Sequence, residues 1–243
     1  MSTYKPLGGN LFTPSFMFFL IIFLIGFYFI VERFIFGIGA VSNLNGGYPW
    51  GIWIVYDVVI GTAFACGGYA LALSVYVLNK GKYHPLIRPA LLTSLLGYAM
   101  GGFGAFFDMG RWWQFYNILI PANWNFNSVL LEVALCIMLY VLVLFIEFAP
   151  VWLEKIGSKS LLKWLNKILF FFIALGVLLP TMHQSSLGTL LVALGHKVHP
   201  LWQTMQFQPL LALLSALSMG FSIVIFEGSI SSVGLNRTSE TPL

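Results

Sequence analysis

A chain of 243 residues that is 59% hydrophobic and only 8% charged cannot cover a globule with water-facing side chains, for which about 25% charged is usual. Its 23 Phe and 8 Trp exceed what one soluble core of this size would bury, whereas lipid accepts aromatic rings all around a helix. The formal net charge of +4 therefore reads as membrane topology, not as affinity for nucleic acid. Cys66 and Cys136, the two cysteines, both lie in apolar stretches, which excludes a disulfide framework and a thiolate cluster for zinc or iron–sulphur.

Six apolar stretches reach the roughly 20 residues that a helix needs to cross a bilayer. They fall at about 14–36, 52–79, 87–109, 128–153, 164–187 and 206–229. The first is longer than the apolar core of a signal peptide, and Glu32 and Arg33 follow its run, so it is expected to remain as an anchor. No alternation of period two persists, which argues against barrel strands. The expectation is an all-α integral membrane protein: a polytopic helical bundle of about six spans, forming one transmembrane domain over residues 1–243.

Lys and Arg fall unequally on alternate sides of these spans. Nine, among them Lys80, Lys82, Arg88, Lys155, Lys159, Lys163 and Lys167, lie on one side, and Arg33, Arg111 and Lys197 lie on the other. The positive-inside rule puts the first side, with both termini, in the cytoplasm of a bacterial inner membrane. The segments facing outward then carry Tyr48, Trp50, Trp112, Trp113, Trp124, His196, His199 and Trp202. An aromatic belt interleaved with hydrogen-bonding groups is either interfacial anchoring or a surface for docking a partner, with Tyr48, Trp50, Trp112, Trp113 and Trp202 the docking candidates.

An ionisable group within a span is costly unless it faces the protein interior, so each is a functional candidate. Asp57 heads a stripe of small residues, Gly61, Ala65 and Gly68, along which helices can approach closely, and Gly97, Gly101, Gly104 and Ala105 precede Asp108 in the same way. Glu132 and Glu147 are separated by about 22 Å along one helix axis. Glu227 continues the stripe of Ala216 and Gly220, and Pro180 sits just before His183, where a proline frees a backbone carbonyl one turn back. By depth, Asp57, Asp108, Glu132 and His183 fall in the outer half and Glu147 and Glu227 in the inner half. That ordering suggests one outer polar site with a proton route inward, suited to a carrier of two electrons and two protons such as a quinone.

A b-type haem would need an axial histidine within a span, often two. Only His183 qualifies, because His84 precedes Pro85 in an inner loop and His196 and His199 lie in an outer one. The expectation is a chain without haem or iron–sulphur cluster. His196 and His199 alone make a weak metal site, so no metal is expected.

Several runs together carry a resemblance: Asn45 to Gly51, Gly61 to Gly68, Tyr83 to Ala90, Asp108 to Arg111, Leu179 to Gly188 and Phe221 to Ser229. The sequence resembles the NrfD/polysulphide-reductase type of quinone-interacting membrane subunit, and within it the membrane subunits of hydrogenase-2-type [NiFe] uptake hydrogenases. What the resemblance implies is a subunit with no redox cofactor of its own. It would take electrons from a periplasmic ferredoxin-like iron–sulphur subunit, itself joined to the hydrogenase small and large subunits, and deliver them to menaquinone or ubiquinone as bound substrate. Such a subunit is part of a hydrogen:quinone oxidoreductase and is not catalytic alone. The resemblance also marks Glu132, His183 and Glu227 as positions tied to quinone chemistry and proton transfer. Family members carry more spans, in two related four-helix bundles, so this chain would hold the first bundle and part of a second. Two other classes are compatible with intramembrane acids at two depths: a non-redox anchor or assembly subunit, and a proton or ion transporter.

Overall fold

The computed structural model describes residues 10, 12–45, 55–193 and 199–234; the side chains of 55–57 and 193 are not described. The described chain is all helical. Five helices are long and apolar enough to cross a membrane, and a further bent pair makes a sixth if counted as one span. This is a polytopic, multi-pass helical membrane protein.

The first helix, α1 (Pro14–Phe36), starts where Thr13 accepts a hydrogen bond from the Phe16 amide and Pro14 occupies the first turn, and it stops at Gly37, whose φ is +88°. A side chain would be strained at that φ, so glycine ends the helix there. Helices α2 (Val58–Phe64) and α3 (Gly67–Val77) are two halves of one stretch bent by 42°. A 3-10 turn, Gly81–Leu86, leads into α4 (Ile87–Asp108). After a loop with two short 3-10 segments come α5 (Val129–Ile156), α6 (Lys159–Ala193) and α7 (Gln208–Gly234).

Ser128 opens α5 by accepting from the Leu131 amide. Gly157, at φ +80°, closes it, and the Gly157 and Ser158 amides both bond the Leu153 carbonyl. That tight C-terminal turn reverses the chain within two residues, so α5 and α6 pair as an antiparallel hairpin. They form the most extensive contact of the bundle, α6 then packs on α7, and α3 packs on α4 and α7.

Sequence pattern predicts an unbroken second span, and the structure breaks it at Ala65 and Cys66. The Cys66 amide reaches back three residues to Ala63 O instead of four, and the helix resumes when Ala70 N bonds Cys66 O. Broken backbone inside a membrane protein must find partners within the protein. Here the side chains supply them. Cys66 Sγ bonds Thr62 O at 3.2 Å, and the Gly68 amide, in the orphan first turn of α3, donates to Ser94 Oγ of α4 at 2.7 Å. Gly220 of α7 lies so close that a Cβ there would come within 2.6 Å of Cys66 O.

Helix α1 stands apart from this packing. Arg33 is its one buried residue, and the contacts that tie it to the bundle gather at its C-terminal end. The Phe34 ring meets Phe106, Phe107 and Trp112 there. The rest of its surface is apolar and exposed, as expected for a helix that faces lipid.

Candidate functional site

Midway along α4 and α5, four helices converge on a buried polar cluster built around His183. The histidine is 0% exposed. Its Nδ1 lies 2.9 Å from Leu179 O, and a carbonyl can only accept, so Nδ1 carries a proton and donates it. In the neutral ring Nε2 is then the acceptor, and the Tyr98 hydroxyl at 2.9 Å donates to it. Tyr98 Oη in turn lies 3.2 Å from Cys66 Sγ and 3.4 Å from Gln184 Nε2. Gln184 Nε2 also donates to Thr62 Oγ1 at 3.1 Å.

The Tyr98 ring meets His183 edge-on at 5.3 Å between centroids and meets Tyr140 of α5 at 4.7 Å. One turn away, Tyr69 Oη bonds Thr181 Oγ1 at 2.9 Å. The result is a short directional chain from an amide through a phenol to an imidazole. It has a second proton arrangement: with both ring nitrogens protonated, Nε2 donates to Tyr98 Oη and the phenol turns its O–H towards Cys66. The second arrangement holds one proton more than the first, and the two differ in the direction of the Tyr98 hydroxyl.

Sequence reasoning found His183 but missed Tyr98, Gln184, Cys66 and Thr62. Hydroxyl, thiol and amide side chains do not stand out in a hydropathy profile. One signal was available: Thr62 and Cys66 sit at i, i+4, so they share one face of the second span.

The acids predicted to join His183 are not gathered beside it. Glu132 is exposed in the first turn of α5, eight residues or about 12 Å along the axis from Tyr140. The positive end of the helix dipole favours a carboxylate in that turn. Asp108 closes α4, about 15 Å along the axis from Tyr98. The backbone of Asp57 is helical, within Val55–Ile60, and its side chain lies outside the described residues.

Glu147 lies half-buried on the α5 face that meets α6. A Cβ at Gly176 would fall 2.4 Å from its Oε1, and that oxygen is buried without a hydrogen-bond partner among the described residues. Glu227 accepts a short hydrogen bond from the Thr93 hydroxyl of α4 at Oε2. Among the described residues, no group of three or more His, Cys, Asp or Glu could hold a metal ion.

At the Asp108 end of the bundle a second polar feature appears. Arg33, 4% exposed, reaches from α1 to the last turn of α4. Its Nε donates to Phe107 O at 2.7 Å and its Nη2 makes a short bond to Met109 O. These are the carbonyls that a helix end leaves without donors, and a cation there also complements the helix dipole. The sequence counted Arg33 as a topology charge, whereas the structure uses it to bolt α1 to α4. Asp108 adds electrostatic attraction to Arg33.

A groove of about 440 Å³ opens beside this pair, its walls formed by Phe29, Ile30, Ile38, Val41 and Phe107. Arg33 Nη1 is buried without a hydrogen-bond partner among the described residues. Of the docking candidates, Trp113 and Trp202 are exposed and Trp112 packs against Phe34 at 5.2 Å. Tyr48, Trp50 and His196 lie outside the described residues.

No protein-family model and no solved structure matches the chain. Four curated relatives do, and three of them define the likeness. A protein of Escherichia coli strain K12, named as a probable Ni/Fe-hydrogenase 2 b-type cytochrome subunit, is 54% identical over 95% of this chain and 59% of its own length. A protein of Nitratidesulfovibrio vulgaris is 39% identical over 94% of this chain and 58% of its own length. From the same organism, the integral membrane subunit of menaquinone reductase is 29% identical over 63% of this chain and 37% of its own length. The chain thus spans about three fifths of the length of the first two relatives.

One expectation is corrected by these likenesses. The sequence predicts a chain without haem, yet the 54% relative is named a b-type cytochrome subunit, which is a name for a haem protein. The arrangement of residues does not fit that group. His183 is the one described histidine inside a span, and both its ring nitrogens are engaged. An axial bond would require it to give up Tyr98 or the Leu179 carbonyl, and a porphyrin would have to displace the Tyr98 and Tyr140 rings.

Proposed function

We propose that the chain is the membrane-integral electron-transfer subunit of a hydrogenase or menaquinone-reductase type complex, of the NrfD/polysulphide-reductase kind, and that it delivers electrons to quinone. The observation that carries this reading is the 54% identity, over 95% of the chain, to a probable Ni/Fe-hydrogenase 2 b-type cytochrome subunit. The 29% identity to a menaquinone reductase membrane subunit points to the same acceptor.

The site chemistry supports it. A quinone head group is apolar on its faces and carries two carbonyls that become hydroxyls. The groove beside Arg33 offers apolar walls, with the Arg33 guanidinium and the Asp108 carboxylate among the groups that line it. Reduction consumes two protons, and the His183 imidazole beside the Tyr98 hydroxyl is a group able to take up and release one at a time, with Gln184 holding the phenol in place. In this reading Asp57, Asp108, Glu132 and His183 serve quinone and its protons, and Glu227 and Glu147 mark the route from the cytoplasm. The excess of Lys and Arg at the other end of the bundle supports that direction, with both termini in the cytoplasm.

Electrons would arrive on the opposite side, where Trp113 and Trp202 are exposed to a partner. A ferredoxin-like iron–sulphur subunit joined to the hydrogenase small and large subunits is the partner proposed. Moving protons inward to outward in this way would couple turnover to the membrane potential, at about 2.3 kcal/mol per charge per 100 mV.

The test uses membranes that carry the chain together with its complex, with hydrogen as donor. Replacing His183→Ala should remove quinone-analogue reduction and leave hydrogen oxidation by a soluble artificial acceptor intact. Loss of both activities would make His183 structural, and ion flux in liposomes without any redox partner would make the chain a transporter.

A further inference from the structure

Glu147 and Pro180 are on different helices, and each leaves an oxygen without a donor at the same place. Proline has no N–H, so the carbonyl four residues earlier, that of Gly176, lacks its helical partner. Gly176 is also the residue against which Glu147 Oε1 rests, at a distance so short that any side chain there would collide with it. The hairpin register explains the meeting. Tyr140 of α5 faces His183 of α6, and seven residues further along each helix, in opposite chain directions, Glu147 faces Gly176.

Glu147 Oε1 is buried with no donor among the described residues, it rests against Gly176, and the Gly176 carbonyl lacks the N–H that a residue other than proline would supply at 180. An ionised carboxylate there would add a charge and leave Oε1 unmatched, a costly arrangement inside a membrane protein. A single proton resolves both deficits, since a carboxylic acid O–H can donate to a carbonyl. The titratable groups close enough to sense a charge on Glu147 are Tyr76 of α3 and Tyr140 of α5, and α6 presents glycine at this level.

We infer that Glu147 is a proton-holding site: a neutral carboxylic acid whose O–H donates to the Gly176 carbonyl, with Gly176 and Pro180 as its positioning residues. The absence of a side chain at 176 makes the room and the proline at 180 makes the acceptor. The site lies about 10 Å along the helices from His183, on the side of the Lys-rich end. The holding of the proton stands on this geometry, and its use in turnover rests on the function proposed above.

Infrared difference spectra of the full chain in membranes test it directly. At neutral pH the wild type should show a carbonyl-stretch band of a protonated carboxylic acid that shifts in deuterated water and is absent from Glu147→Gln. Pro180→Ala should keep the band but move it to higher frequency, because the new backbone N–H takes the Gly176 carbonyl and the acid loses its acceptor. Identical wild-type and Glu147→Gln spectra in this region would overturn the proposal, as would a band that Pro180→Ala leaves unmoved. If Glu147→Gln does not assemble, the Pro180→Ala shift alone decides. The infrared measurement needs no quinone or redox partner. A missing band beside intact quinone reduction would defeat this inference alone, and an intact band beside absent quinone reduction would defeat the functional reading alone.

Discussion

Around His183, three helices and the break between α2 and α3 contribute Tyr98, Gln184, Thr62 and Cys66, and each of these groups is bonded to another of the set. Beside Arg33 the situation differs: two nitrogens of the guanidinium fasten α1 to α4, the third is buried with no hydrogen-bond partner among the described residues, and a groove opens alongside. Both places are polar and inside an apolar protein. The first is closed and satisfied, so it can rearrange protons but has no room for a ligand. The second is open on one side. The contrast separates two tasks that the sequence pattern merges into one outer site, namely holding a ligand and moving protons.

The closed centre depends on close helix approach, and the largest effect is expected where that approach is tightest. Gly220→Leu would drive a side chain into the Cys66 carbonyl, 2.6 Å from the new Cβ. Backbone cannot yield as a flexible side chain does, so a loss of about 1–3 kcal/mol or more is expected, read as a lower melting temperature of the chain in detergent. An unchanged melting temperature would mean that α7 does not seat on the helix break.

A smaller loss is expected from Tyr98→Phe, which keeps the ring packing and removes one hydroxyl. It leaves His183 Nε2 without its donor, at a cost of about 1–3 kcal/mol for a buried orphaned group. The same melting assay measures it, and a stabilised variant would show that the cluster is not satisfied as described. The smallest effect belongs to the ion pair between Arg88 and Glu154, whose side chains are 62% and 44% exposed. Glu154→Gln should shift stability by no more than about 1 kcal/mol. A larger loss there would mean that the bundle is held from its rim and not from its centre.

The fold class was legible in the sequence because lipid imposes length and apolarity on every span, and α1 and α4 to α7 announce themselves that way. Glu227 was legible in part, since the stripe of Ala216 and Gly220 aims it at α4, where Thr93 meets it. The helix break at Ala65 and Cys66 was not, because glycine and alanine at small-residue spacing read equally well as a tight straight helix. Nor was the His183 cluster. Its members lie up to 122 residues apart and carry no charge, so neither periodicity nor hydropathy links them. Glu132 was legible by its charge, and the structure adds its place in the first turn of α5, where the helix dipole favours a carboxylate. Arg33 was read by its sign alone, and only the end of α4 beside it reveals two carbonyls waiting for a donor.

The separation of ligand holding from proton movement is tested most directly by steady-state quinone-analogue reduction with hydrogen as donor, in membranes carrying the complex, comparing Tyr98→Phe with Arg33→Gln. The account predicts that Tyr98→Phe lowers kcat by about 100-fold or more, the ordinary worth of a positioned proton donor, with little change in KM. Arg33→Gln should instead raise KM and leave kcat nearly unchanged. Equal losses of kcat in both variants, or no loss of kcat in Tyr98→Phe, would contradict it.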